Sequence, residues 1–166
     1  AGVSTVNSTG CMKIPSGPSE NRGGRGRGVF AGGATPTKIN VIDTVQIATA
    51  ANATDFGDLS DTKNGVAALA SATRGVFGGG YTPTDQSTIE YLNFSSSGGV
   101  SDFGELLSAT RDQMSGSNNT IGIFSRERET QFITIASTGD ATDFGGDTTV
   151  SRYYGMQSNC SPTRMV

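Results

Sequence analysis

The sequence predicts an all-β protein made of tandem four-stranded antiparallel sheets, one for every 47 or so residues. Three observations predict it. Arg74-Gly75-Val76-Phe77-Gly78-Gly79-Gly80 has a copy 47 residues earlier, Arg27-Gly28-Val29-Phe30-Ala31-Gly32-Gly33, and a worn copy 47 residues later, Ile121-Gly122-Ile123-Phe124. A second word, Thr54-Asp55-Phe56-Gly57, returns at the same spacing as Ser101-Asp102-Phe103-Gly104, and six residues early as Thr142-Asp143-Phe144-Gly145. The third observation is composition: 24 glycines, 34% hydrophobic and 16% charged residues, with β-branched residues alternating with small ones. Long helices instead want periodic Ala, Leu, Glu and Lys. A period of about 40 to 50 residues built from short apolar runs and glycine points to a propeller blade or a related β repeat. Disorder gives no reason for phenylalanines on a fixed beat.

Residues 1–26 lie outside the repeat and read as an extended segment, with a short strand over Val3–Val6 and prolines at 15 and 18 that forbid helix. The first repeat spans 27–73. Val29-Phe30 opens an inner strand, the alternating run Ile39–Ile47 forms a half-buried second strand, Phe56–Leu59 a third and Val66–Ala70 a fourth. The second repeat, 74–120, keeps this order through Val76-Phe77, Thr88–Phe94, Phe103–Leu106 and Gln113–Gly116, and the third, 121–163, through Ile123-Phe124, Gln131–Ile135, Phe144-Gly145 and Tyr153–Met156. Its six missing residues fall in the loop after the first strand. Residues 164–166 match the start of a further copy. Phe30, Phe77, Phe124, Phe56, Phe103 and Phe144 are thereby assigned to the core of the repeat. Closed propellers need about four to eight blades, so three copies leave open edges that invite completion by another chain.

Candidate chemistry is sparse. The chain has no histidine, which removes the commonest general base. Asp55, Asp102 and Asp143 recur once per unit before Phe-Gly, where the expected role is to accept backbone N–H bonds at a turn. The alternating ligands of a calcium loop are missing, and Gly78-Gly79-Gly80 lacks the Lys-Ser or Lys-Thr of a phosphate loop. No cofactor or metal is therefore expected. A net charge of −3 and a pI near 4.8 give no attraction to nucleic acid. The Arg22–Arg27 stretch resembles an Arg-Gly-Gly box, but it has no interleaved aromatic, and Arg27 is the counterpart of Arg74 and Arg164. No run is apolar enough to span a bilayer, and Ala1–Thr5 lacks the regions of a signal peptide. Cys11 and Cys160 sit in no metal spacing, and read as buried thiols or, alternatively, as a disulfide joining the two ends. Asn7, Asn52, Asn93, Asn118 and Asn159 begin glycosylation triplets, which matter only in a secreted eukaryotic chain. Tyr81, Tyr91, Tyr153 and Tyr154 are the exposed aromatics expected to touch a ligand or partner, set against ordinary packing as the bland reading.

Aligned, the copies give Arg-Gly-Val-Phe-x-Gly-Gly, then x-Thr-Asp-Phe-Gly-Asp-Leu, then Ser-Ala-Thr-Arg. This pattern resembles kelch-type propeller repeats, with Phe56, Phe103 and Phe144 standing where kelch has its blade tryptophan. Together with Pro15-Ser16-Gly17-Pro18-Ser19-Glu20, the repeats are similar to those of virion structural and tail-fibre-like proteins of marine cyanophages, over residues 15–166. The third copy departs by lacking the Arg and the double glycine. The resemblance implies a non-enzymatic virion component that self-associates or joins other virion proteins and attaches to a host-surface glycan or protein through loops such as 34–38 and 81–87. A free-standing bacterial lectin or extracellular surface-fibre protein built from the same repeat is the alternative, and a propeller-type glycan hydrolase or lyase a third.

Overall fold

The computed structural model describes residues 5–6, 12–13, 26–152 and 160, and among these there is no α-helix. β1 (Thr5–Val6) and β2 (Met12–Lys13) pair antiparallel as a two-stranded ladder. Three larger antiparallel sheets follow. The first holds β3 (Arg27–Ala34), β4 (Lys38–Gln46) and β5 (Thr54–Asp58). The second holds β6 (Ala67–Ala70), β7 (Arg74–Gly78), β8 (Gln86–Asn93) and β9 (Ser101–Thr110), and the third β10 (Met114–Ser117), β11 (Ile121–Arg126), β12 (Glu129–Thr134) and β13 (Thr142–Asp143). In each sheet the spatial order follows the chain, so each is a meander, and the three do not close into a ring.

The sheets are out of phase with the sequence units. The run at 66–70, expected as the fourth strand of the unit 27–73, pairs with β7 instead, from Ala67 opposite Gly78 to Ala70 opposite Gly75. The reason is the turn at Ser71. Its N–H donates to the Arg74 carbonyl at 2.9 Å, and its Oγ accepts from the N–H groups of Thr73 and Arg74 at 3.2 and 3.1 Å. These bonds lock β6 and β7 into one hairpin. Asn118 does the same between β10 and β11, where Oδ1 accepts from the N–H groups of Thr120 and Ile121. Each of the second and third sheets therefore begins with a strand donated by the unit before it.

Side chains that alternate along the strands fill two cores, one between each pair of successive sheets. Ile42, Phe56 and Leu59 of the first sheet's side meet Phe77, Leu92 and Phe94 of the second. Their counterparts, Ile89, Phe103 and Leu106, meet Phe124, Ile133 and Ile135 of the third, together with Ala67, Leu69, Val76 and Ala141. The correspondence holds residue for residue. Phe77 and Phe124 point back into the preceding sheet, whereas Phe56 and Phe103 point forward into the next. The two remaining phenylalanines assigned to the core are exceptions. Phe30 is 63% exposed and Phe144 52% exposed. The same geometry explains both, because among the described residues no repeat sheet covers the back of the first or the front of the third.

Backbone bonds stitch the sheets where side chains do not. The Phe56 and Asp58 carbonyls accept from the N–H groups of Gly98 and Val100 at 2.9 and 3.1 Å, and those of Phe103 and Glu105 from Gly139 and Ala141 at 2.7 and 2.8 Å. This close approach explains the glycine in the Asp-Phe-Gly word. A Cβ on Gly57 would lie 2.1 Å from the Gly98 oxygen, and one on Gly104 2.5 Å from the Gly139 oxygen. Both glycines also have positive φ, 149° and 147°. Arg27 Nη1 reaches the Phe94 carbonyl at 3.3 Å and Arg74 Nη1 the Ile135 carbonyl at 3.0 Å, which makes Arg27 a strut between sheets.

Candidate functional site

The most polar region gathers at one edge of the stack, around the loop between β7 and β8. Gly79 and Gly80 turn the chain with φ of 67° and 111°, and the Gly79 site admits no Cβ, which would come within 2.3 Å of the Thr110 oxygen. Tyr81 is then held by exchange of backbone bonds with Asn64. Lys38 Nζ sits 4.1 Å and the Arg111 guanidinium carbon 4.2 Å from the centre of its ring. Arg111 Nε lies 3.5 Å from one oxygen of Asp85 and Arg126 Nη1 3.8 Å from the other, while Arg126 Nη1 also donates to Thr110 Oγ1 at 2.9 Å. The result is a chain in which cations alternate with an aromatic ring and a carboxylate: Lys38, Tyr81, Arg111, Asp85, Arg126.

Beyond Arg126 opens a cleft of about 620 Å³ whose lining includes Asp85, Arg126, Arg128, Glu129 and Asp143. Several buried polar atoms nearby have no hydrogen-bond partner among the described residues: Asn64 Oδ1, both amide atoms of Gln113, and Arg126 Nε. Such atoms are ordinarily satisfied by water or a ligand. Mixed carboxylates and guanidinium groups around an open polar cleft suit a hydroxyl-rich ligand, since the acids accept from hydroxyls and the arginines donate to them.

The sequence-derived candidates divide at this point. Tyr81 lies at the edge and is half-buried, with two cations already over its ring, so it offers no bare stacking surface. Tyr91 is half-buried rather than exposed: it packs on the second core, edge-on to Phe103 at 5.9 Å, with the Arg74 guanidinium 4.6 Å from its ring centre. It is a packing residue. Tyr153, Tyr154 and Cys11 lie outside the described residues. Asp55 and Asp143 accept from the N–H groups of Gly57 and Gly145 at 3.0 and 2.9 Å, the turn role expected of them. Among the described residues no group of three or more His, Cys, Asp or Glu is placed to hold a metal ion.

Sequence reasoning missed Asp85, Arg126 and Gln113, which have no counterpart in every copy and come from two loops and the end of β11. It also missed a buried ion pair, Lys63 Nζ to Glu90 Oε2 at 2.7 Å, with side chains 3% and 2% exposed. Glu90 Oε1 accepts from Ser60 N–H at 3.1 Å. One copy later, Gln131 Oε1 accepts from Leu107 N–H at 2.8 Å. The signal was present in the sequence: Asp43, Glu90 and Gln131 each interrupt an apolar strand opposite the phenylalanine of the first word. No family model and no curated protein matches the chain.

Proposed function

We propose that this chain is a non-enzymatic scaffold, a kelch-like, propeller-type stack of sheets that serves as a structural or tail-fibre-like component of a phage particle and presents the Asp85–Arg126 edge to a host-surface glycan. One observation carries the reading: at the two internal joints the repeated residues are engaged in holding sheet to sheet. Phe56, Phe77, Phe103 and Phe124 plug cores, Gly57 and Gly104 let backbone cross, Arg27 and Arg74 reach carbonyls of the next sheet, and Asp55 and Asp143 close turns. The variable residues collect at one edge, as expected of a scaffold that displays loops. The polar cleft supports a hydroxyl-rich ligand.

A glycan array with the purified chain tests this. Retention of a glycan without turnover, reduced at least tenfold in Asp85→Ala and in Arg126→Ala, is the expected result. Cleavage of the bound glycan, or no retention on any glycan, sinks the attachment role. Proteomics of phage particles tests the virion assignment, since recovery of the chain only from bacterial culture medium would refute it.

A further inference from the structure

The two ends of the stack are chemically unlike. On the back of the first sheet, Phe30, Val45 and Ile47 occupy the positions held by Phe77, Leu92 and Phe94 in one core and by Phe124, Ile133 and Ile135 in the other. Ile47 is 71% exposed where Phe94 is 5%. Asp43 stands where Glu90 and Gln131 take an N–H from the sheet behind them. At the place where Gly98 and Gly139 cross to the sheet behind them, the Ala51 N–H donates to the Thr49 carbonyl, but the face carries the phenylalanine, the two aliphatic positions and the carboxylate of the internal joint. The front of the third sheet does not: Ile121 replaces the strut arginine, Thr130 the buried isoleucine, and Asp147 the buried leucine.

From this asymmetry we infer that the Phe30–Val45–Ile47 face docks one further sheet of this same repeat, presenting the Ile-Phe-Leu surface that Ile42, Phe56 and Leu59 form here. Continuity with the two internal joints identifies the occupant. A second copy of this chain fits poorly from either side. Its third sheet offers Thr130 and Asp147 in place of Ile and Leu, and pairing like faces across a twofold axis sets Asp43 against Asp43. An exposed phenylalanine flanked by aliphatic side chains is also the composition of an interface centre. The inference rests on the scaffold reading but not on glycan attachment, and the two fail separately.

Inserting a second copy of residues 27–73 between Gly26 and Arg27 supplies that sheet in register, joined through the Ser71 turn. The extended chain is expected to unfold at a higher urea concentration than the parent. In it, Phe30→Ala at the original position, silent in the parent, lowers the midpoint as much as Phe77→Ala lowers the parent's. An unchanged or lowered midpoint, or a silent Phe30→Ala in both chains, overturns the inference. Native mass spectrometry of the parent is expected to give a monomer; a dimer that Phe30→Asp dissociates overturns it in favour of self-pairing. A failed glycan array would leave these midpoints as they are.

Discussion

Glu90 and Lys63 are both almost fully buried between the first two sheets, and their counterparts between the second and third are Gln131 and Thr110. One joint uses an ion pair where the next uses neutral groups, with the backbone bond to residue 60 or 107 kept in both. Breaking a buried pair by removing one charge strands the other, at about 3–5 kcal/mol. Glu90→Gln alone is therefore expected to destabilise by that amount in urea unfolding, whereas Lys63→Thr with Glu90→Gln, which copies the neighbouring joint, recovers most of the loss. The phenylalanines give a sharper contrast. Phe103→Ala empties a filled core and should cost about 3–5 kcal/mol, while Phe144→Ala, at an open face, should stay under about 1 kcal/mol. Their sequence context is the same. Spacing showed that Phe30 and Phe144 occupy repeat-core positions, but whether such a position is covered depends on a neighbouring sheet, which no single copy encodes.

At the level of strands, the antiparallel meander and most strand positions among the described residues were legible, because alternating runs separated by glycine and turn residues leave little choice of conformation; the strand expected at Phe144-Gly145 lies at Thr142–Asp143, and the one expected over Tyr153–Met156 falls outside the described residues. The assignment of β6 was not. A period of 47 residues has no natural origin, so the unit can be cut anywhere along it, and only the hydrogen bonds of Ser71 decide which side β6 joins. The polar edge was illegible for a related reason: Asp85 comes from a loop and Thr110 and Arg126 from the ends of β9 and β11, and no repeated word brings the three together. The glycine crossings, by contrast, belong to a repeated word and make a clear prediction. Gly104→Ala places a Cβ against the Gly139 backbone in a conformation side chains rarely adopt, and should lower stability by at least about 1–3 kcal/mol in urea unfolding. Gly146→Ala, in open space and without a positive φ, is the control and should be near neutral.

For the molecule as a whole, the second sheet is the keel. Among the described residues it alone of the three is packed on both faces, and β7 is buried along nearly its whole length. Local opening follows the density of such contacts. Native-state hydrogen exchange should therefore find the amides of β7 and β8 slowest and those of β3 and β13 fastest; equal protection across the three sheets would contradict the stacked arrangement.

The strand that each unit lends to the sheet after it has a consequence for how such a gene can change. Because every internal sheet is assembled from two successive units, a recombination event that adds or removes one whole period leaves correctly composed sheets wherever its breakpoint falls. An insertion or loss of any other length leaves the sheets intact only where it falls in a loop, as the six-residue shortening between β11 and β12 does. Lineages carrying this repeat are thus free to vary in copy number while the period itself is held, and shortening is confined to loops such as the one between β11 and β12.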